Sequence, residues 1–242
     1  MVFQIAIIYS FLFFTYSNIN VDAYCNLIHN YDGIDWNDIY DVDERRLIAE
    51  IPSSKIKLYY LKDDKDFGVY RGFILEMNEG KRYFSWDNVT NPSYAPQLTL
   101  SDLDKDGKDE LIIQLCKGYG MGIFDGEVHV IKEKLFDEIL VQNPTIILYK
   151  NVTVRELPEQ FEIILKGKKV ILNKKGMLIP PYSKVGIGFG NDNTRYEVKN
   201  NTLYARVPVG VSTIIAGELI VKYKFRDSIF QMESIDYFNY KN

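Results

Sequence analysis

The chain has no excess of positive charge: 29 Lys and Arg stand against 33 Asp and Glu, for a formal net charge of −4 at pH 7. Nucleic acids and anionic membrane surfaces both reward clustered Lys and Arg, so neither is expected as a partner. Beyond a short N-terminal segment there is no apolar run approaching the roughly 20 residues a membrane helix needs, and no other membrane insertion is expected. No Ser or Cys nucleophile motif is present. Gly118-Tyr119-Gly120-Met121-Gly122 lacks the Lys-Ser/Thr pair of a phosphate cradle and is expected simply to turn the chain. No unit repeats along the sequence, which argues against a full propeller of four or more blades. Cysteine is scarce. In an exported chain Cys25 and Cys116 could form one disulfide closing a loop of about 90 residues, worth about 4–5 kcal/mol if unstrained; the alternative is two unrelated buried thiols.

What the chain does have is apolar and aromatic mass. It is 46% hydrophobic and 14% aromatic, enough for a full core. Eighteen Tyr and fourteen Phe favour strands over helices. Residues 1–23 read as a signal peptide: an apolar run, Met1–Tyr16, precedes the small-residue cleavage signal Val21-Asp22-Ala23. The run lacks the usual Lys or Arg in front of it, and a buried N-terminal strand is the alternative. Residues 24–54 form an acidic segment crowded with Asp32, Asp35, Asp38, Asp41, Asp43 and Glu44. It reads as a solvated approach, with a short helical turn near Glu44–Ala49.

From residue 55 to 242 the pattern is that of an all-β domain, mostly antiparallel hairpins and meander, with one or two short helices. Lys55–Leu61 and Phe67–Met77 pair around a charged turn, and Lys81–Trp86 and Gln97–Leu100 follow. Glu110–Cys116 is nearly continuous in apolar residues and should be a central strand, with Glu127–Ile131 returning beside it. Glu127 and His129 lie two apart, on one strand face; a solvated face is the plain reading, with metal or proton chemistry as the sharper one. Lys132–Leu140 suggests a helical turn or two, and Pro144 opens a short helix through Tyr149. Three hairpins close the chain, turning at Gly167, at Asn200-Asn201 and at Arg226-Asp227-Ser228.

The stretch that carries chemistry is Asp102-Leu103-Asp104-Lys105-Asp106-Gly107-Lys108-Asp109-Glu110. Calcium takes six to eight oxygens at about 2.3–2.6 Å. Asp102, Asp104 and Asp106 offer carboxylates at alternate positions of a tight turn, and Gly107 permits the positive φ that turn needs. Lys108 can supply its carbonyl while its ammonium meets water, and Glu110 can close the site from the first strand position. Without a cation the converging carboxylates would repel one another. An EF-hand is excluded, because its twelfth position requires a bidentate Glu and here holds Ile113 inside a β-type run.

A nine-position loop ending in an acid and entering a strand resembles the FG-GAP or VCBS repeat, the calcium loop of propeller blades. That family prefers Asp at the ninth place, where this chain has Glu110. With Tyr83–Val89, Asn91–Tyr94, Gly118–Gly120 and Glu127–Val130, the likeness widens to exported Gram-positive proteins carrying one such unit, here about residues 70–131. The resemblance implies one β-propeller-blade-like calcium unit with Asp102, Asp104, Asp106, Lys108 and Glu110 as ligands, and no enzymatic activity. The expected function is a secreted or cell-envelope, calcium-stabilised β domain that binds an extracellular protein or glycan. The alternative is an envelope or glycan-directed hydrolase using paired carboxylates, which would need a pair about 5 or 6.5–9.5 Å apart in a cleft.

Overall fold

The computed structural model describes residues 45–78, 80–120, 123–132, 136–175, 187–189, 193–211 and 214–240. The expected signal peptide, most of the acidic segment and Cys25 lie outside them. The fold is all-β with a single α-helix among the described residues. Four strands form an antiparallel meander: β1 (Arg46–Ile51), β2 (Ile56–Asp64), β3 (Val69–Met77) and β4 (Gly80–Val89). A mixed sheet contains β5 (Gln97–Ser101), β6 (Glu110–Gly120), β7 (Ile123–Lys132), β8 (Asp137–Ile139), β12 (Ile187–Phe189), β13 (Asn193–Val198), β14 (Leu203–Val211), β15 (Ile214–Arg226) and β16 (Ile229–Asn239). Its order is β16-β15-β14-β13-β7-β6-β5, with β12 on β14 and β8 on β7. A third sheet joins β9 (Thr153–Glu156), β10 (Gln160–Leu165) and β11 (Lys168–Asn173), just after α1 (Pro144–Asn151). None of these sheets closes on itself among the described residues.

The hairpin β6–β7 is the wall between two cores, and the period of two explains how. Leu111, Ile113, Leu115 and Ile131 point one way, into a core with Leu58, Phe73, Leu75 and Trp86 of the meander. Ile112, Val128 and Val130 point the other way, into a larger core with Phe161 and Ile163 of β10, Leu148 of α1, and Val207 and Val221 of the β14–β15 pair. A strand buried on both faces reads as a continuous apolar run, as Glu110–Cys116 does. Cys116 itself is buried, with no disulfide partner among the described residues, and its Sγ lies 3.3 Å from the Gly118 carbonyl oxygen.

Two expectations are corrected. Arg46–Ala49 is strand rather than helical turn, because Arg46–Ile51 pairs with Ile56–Tyr60 of β2. Within the Lys132–Leu140 stretch Asp137–Ile139 is strand rather than helix, since it pairs with Val130–Lys132. The expected turn over Gly118–Gly122 comes late in that stretch: β6 runs on to Gly120, with a bulge between Cys116 and Gly118, and Gly120 already pairs with Ile123 of the returning strand, so the chain reverses between these two. The helix after Pro144 is present, capped by Asn143, whose Oδ1 accepts from the Thr145 and Ile146 amides. The two late hairpins turn on left-handed Asn200 and Asn201 and on Asp227 and Ser228.

Candidate metal centre

The acidic loop spans the connection between β5 and β6, two strands that pair directly from Ser101–Glu110 to Gln97–Gln114. Its backbone is held tightly. Leu103 is buried and drives the loop into the larger core. Gly107 has φ +88°, the left-handed conformation expected of it, and Lys105 adopts φ +65° as well. Ser101 Oγ lies 2.9 Å from Oδ1 of Asn201, tying the loop's entrance to the β13–β14 turn.

The three aspartates share one pattern. Each uses one carboxylate oxygen to hold the loop: Asp102 Oδ2 accepts from Gly107 N (3.2 Å), Asp104 Oδ1 from Asp106 N (3.0 Å), and Asp106 Oδ1 from Lys108 N (2.9 Å). The second oxygen of each is left for a cation. Asp104 Oδ2 and Asp106 Oδ2 face the Lys132 ammonium at 2.5 and 3.5 Å. Asp102 Oδ1 is buried and accepts no hydrogen bond among the described residues. One ligand atom from each of the three residues lies within 4.8 Å of the others. Oxygens on opposite sides of an ion bound at 2.3–2.6 Å are about 4.6–5.2 Å apart, so the three fit around one ion. The group Asp102, Asp104 and Asp106 could hold a metal.

The other two expected ligands are placed differently. Glu110 is buried beneath the loop, where its Oε2 accepts from the Leu103 and Asp104 amides at 2.9 and 3.2 Å. Burial pushes its carboxyl pKa up, against these two donors, which pull it down. Lys108 is exposed, and Asp109 beside it is exposed too. Lys132 was not legible as part of the site. It lies one residue beyond the Leu111–Ile131 pair of the β6–β7 hairpin, so only the register brings it to the loop. Its hydrogen bond to Asp104 raises its pKa despite partial burial.

No protein-family model, curated protein or solved structure matches this chain. The chemistry of the centre therefore rests on its own geometry.

A second polar cluster lies further along β7. Glu127 and His129 do not form the fully solvated face expected of them: His129 is buried and Glu127 is partly exposed beside it. The His129 ring stacks on Trp86 at 4.1 Å between centroids, and Trp86 stacks on Phe84. His129 Nδ1 lies 2.6 Å from Glu138 Oε1 of β8. Its Nε2 sits at ion-pair distance, 3.6 Å, from Glu127 Oε2, and Lys117 Nζ is 3.5 Å from Glu127 Oε1. Burial pulls the His129 pKa down, but the two carboxylates outweigh it and the value lies above the usual histidine range. His129 thus stabilises the fold through its bound proton. That contribution is complete below about pH 6.5, the unfolded value, and is lost as pH rises through the folded-state pKa. Glu127, held down by His129, contributes in the opposite direction, losing its share as pH falls through its lowered pKa. Glu138→Gln is expected to flatten the loss of stability as pH rises above about 6.5, measured as the urea midpoint at each pH. An unchanged pH profile in that variant would show that the pair contributes nothing.

Proposed function

We propose that the chain is a calcium-stabilised, non-enzymatic binding domain of an exported protein, and that its acidic loop is a calcium site of the FG-GAP/VCBS kind. The observation that carries this reading is the buried Asp102 Oδ1, which has no hydrogen-bond partner among the described residues and lies beside two further aspartates. A buried carboxylate oxygen without a partner is costly, and a bound cation removes the cost. Oxygen-only donors suit a hard ion of calcium's size. Asp102, Asp104 and Asp106 would hold the ion, with the Lys108 carbonyl and water completing the shell. Glu110 would act from outside, fixing the amides of Leu103 and Asp104 and so the angle at which the aspartates meet.

Lys132 is the protein's own cation in the same place. The ammonium must yield when the ion arrives, since both need Asp104 Oδ2 and Asp106 Oδ2. Lys132→Met is therefore expected to tighten calcium binding by about tenfold, a gain of about 1.4 kcal/mol, in competition with a fluorescent chelator. Weaker binding in Lys132→Met, or none in either protein, would contradict the proposal. Export and an extracellular partner belong to the same reading; the net negative charge and the N-terminal apolar segment support them.

A further inference from the structure

A cavity of about 290 Å³ opens at the far end of β6 from the acidic loop. From Glu110 to Cys116 is about 20 Å of strand, so the two sites are separate. The cavity is built where β7 and β13 run parallel, joined at Asn193–Phe124 and Thr194–Asp125. Gly126 permits that approach: a Cβ there would lie 2.4 Å from the Thr194 carbonyl oxygen. The close pairing brings Arg195 and Tyr196 alongside Glu127.

The lining has two kinds of surface. One is aromatic: Tyr94, Phe124 and Tyr196 border the space. Tyr94 is backed by Tyr119 at 4.6 Å and by Phe124 at 5.7 Å, and the Arg195 guanidinium lies 5.2 Å over the Phe124 ring. The other is hydrogen-bonding: Gln97, Gln114, Glu127 and Arg195. Burial and the neighbouring acids hold the Tyr196 phenol protonated, which keeps it a donor.

This lining selects by chemistry. A purely apolar ligand would leave the Gln97 and Gln114 amides and the Arg195 guanidinium without partners. A phosphate-bearing ligand would meet Glu127. A ligand ammonium would meet Arg195. One acid and one base in the wall balance, which favours a ligand without net charge. Aromatic faces are electron-rich and attract the polarised C–H face of a pyranose, and amide and carboxylate side chains pair with adjacent hydroxyls. The volume sits at the small end of ligand pockets, about 300–1,000 Å³. We infer that this cavity binds a single neutral sugar ring. The inference rests on the binding reading above and not on the ion.

The test is saturation-transfer NMR on the full chain with glucose, galactose and N-acetylglucosamine, and with cellobiose, lactose and chitobiose. At least one of these sugars is expected to receive saturation. If the natural ligand is a chain end, the disaccharide will show it on one ring only; if it is a free monosaccharide, the disaccharide will be excluded. Tyr94→Ala is expected to weaken binding at least tenfold and Glu127→Gln severalfold. Tyr119→Ala, at an exposed ring, should weaken it severalfold and serves if Tyr94→Ala does not fold. No saturation of any of the six sugars, or equal saturation in the folded variants, would overturn the inference. Calcium titration of the same samples separates the two readings: sugar binding lost with calcium retained rejects only the cavity, and the reverse rejects only the ion.

Discussion

Phe73→Ala and Phe161→Ala are each expected to lower the unfolding free energy by about 3–5 kcal/mol, and to do so through one shared transition. Both rings are fully buried, Phe73 in the core under the meander and Phe161 in the larger core. Truncation removes the transfer energy of the ring and leaves a cavity that close-packed strands fill only partly. A loss of that size is a large share of the roughly 5–15 kcal/mol that holds a domain together. The shared transition follows from β6 and β7. Leu111 and Ile113 serve one core, Ile112 the other, and a strand cannot release one face while holding the other. Urea unfolding followed by tryptophan fluorescence and by circular dichroism should give coincident curves in the wild type and in both variants. Trp86 reports on the smaller core, so a fluorescence transition that moves in Phe73→Ala alone would show that the cores unfold separately.

Calcium is expected to raise the melting temperature of chelator-stripped protein. At about 100 times its dissociation constant, an ion that binds only the folded state adds about 2.7 kcal/mol, or about 5–11 °C for a domain of this size. Magnesium should do less, because it demands near-octahedral geometry and keeps its waters. Asp102→Asn separates this effect from plain loop stability. It keeps an oxygen to accept the Gly107 amide and removes the charge on the buried, unpartnered side. Without calcium the variant should melt no lower than the wild type, and calcium should not raise its melting temperature. An equal calcium response in both proteins would place the ion elsewhere.

The loop was legible because its three aspartates and Gly107 are neighbours in sequence, and local chemistry is what a sequence displays. The central strand was legible for a related reason: four apolar residues among the five of Leu111–Leu115, broken only by Gln114, fit a strand buried on both sides. Lys132 was not, because it reaches Asp104 only through the β6–β7 register, 28 positions away. The left-handed Lys105 was missed as well, since nothing in a lysine announces positive φ. Arg46–Ile51 is built of helix-tolerant Leu, Ala and Glu, and pairing with β2 overrides that weak local preference. The cavity was invisible for the strongest reason. Its wall joins residues 69 positions apart through a parallel pairing of two residues on each strand, and no local pattern marks such a contact.

Isothermal calorimetry of calcium into chelator-stripped protein, repeated with Asp106→Ala and Asp109→Asn, tests the calcium site most directly. Asp106 and Asp109 are both exposed acids of one loop, but only Asp106 belongs to the group that converges. The expected result is saturable binding of one ion per chain, weakened at least tenfold in Asp106→Ala and nearly unchanged in Asp109→Asn. Absence of heat in the wild type, or equal losses in the two variants, would contradict the site and leave the loop an acidic turn neutralised by Lys132.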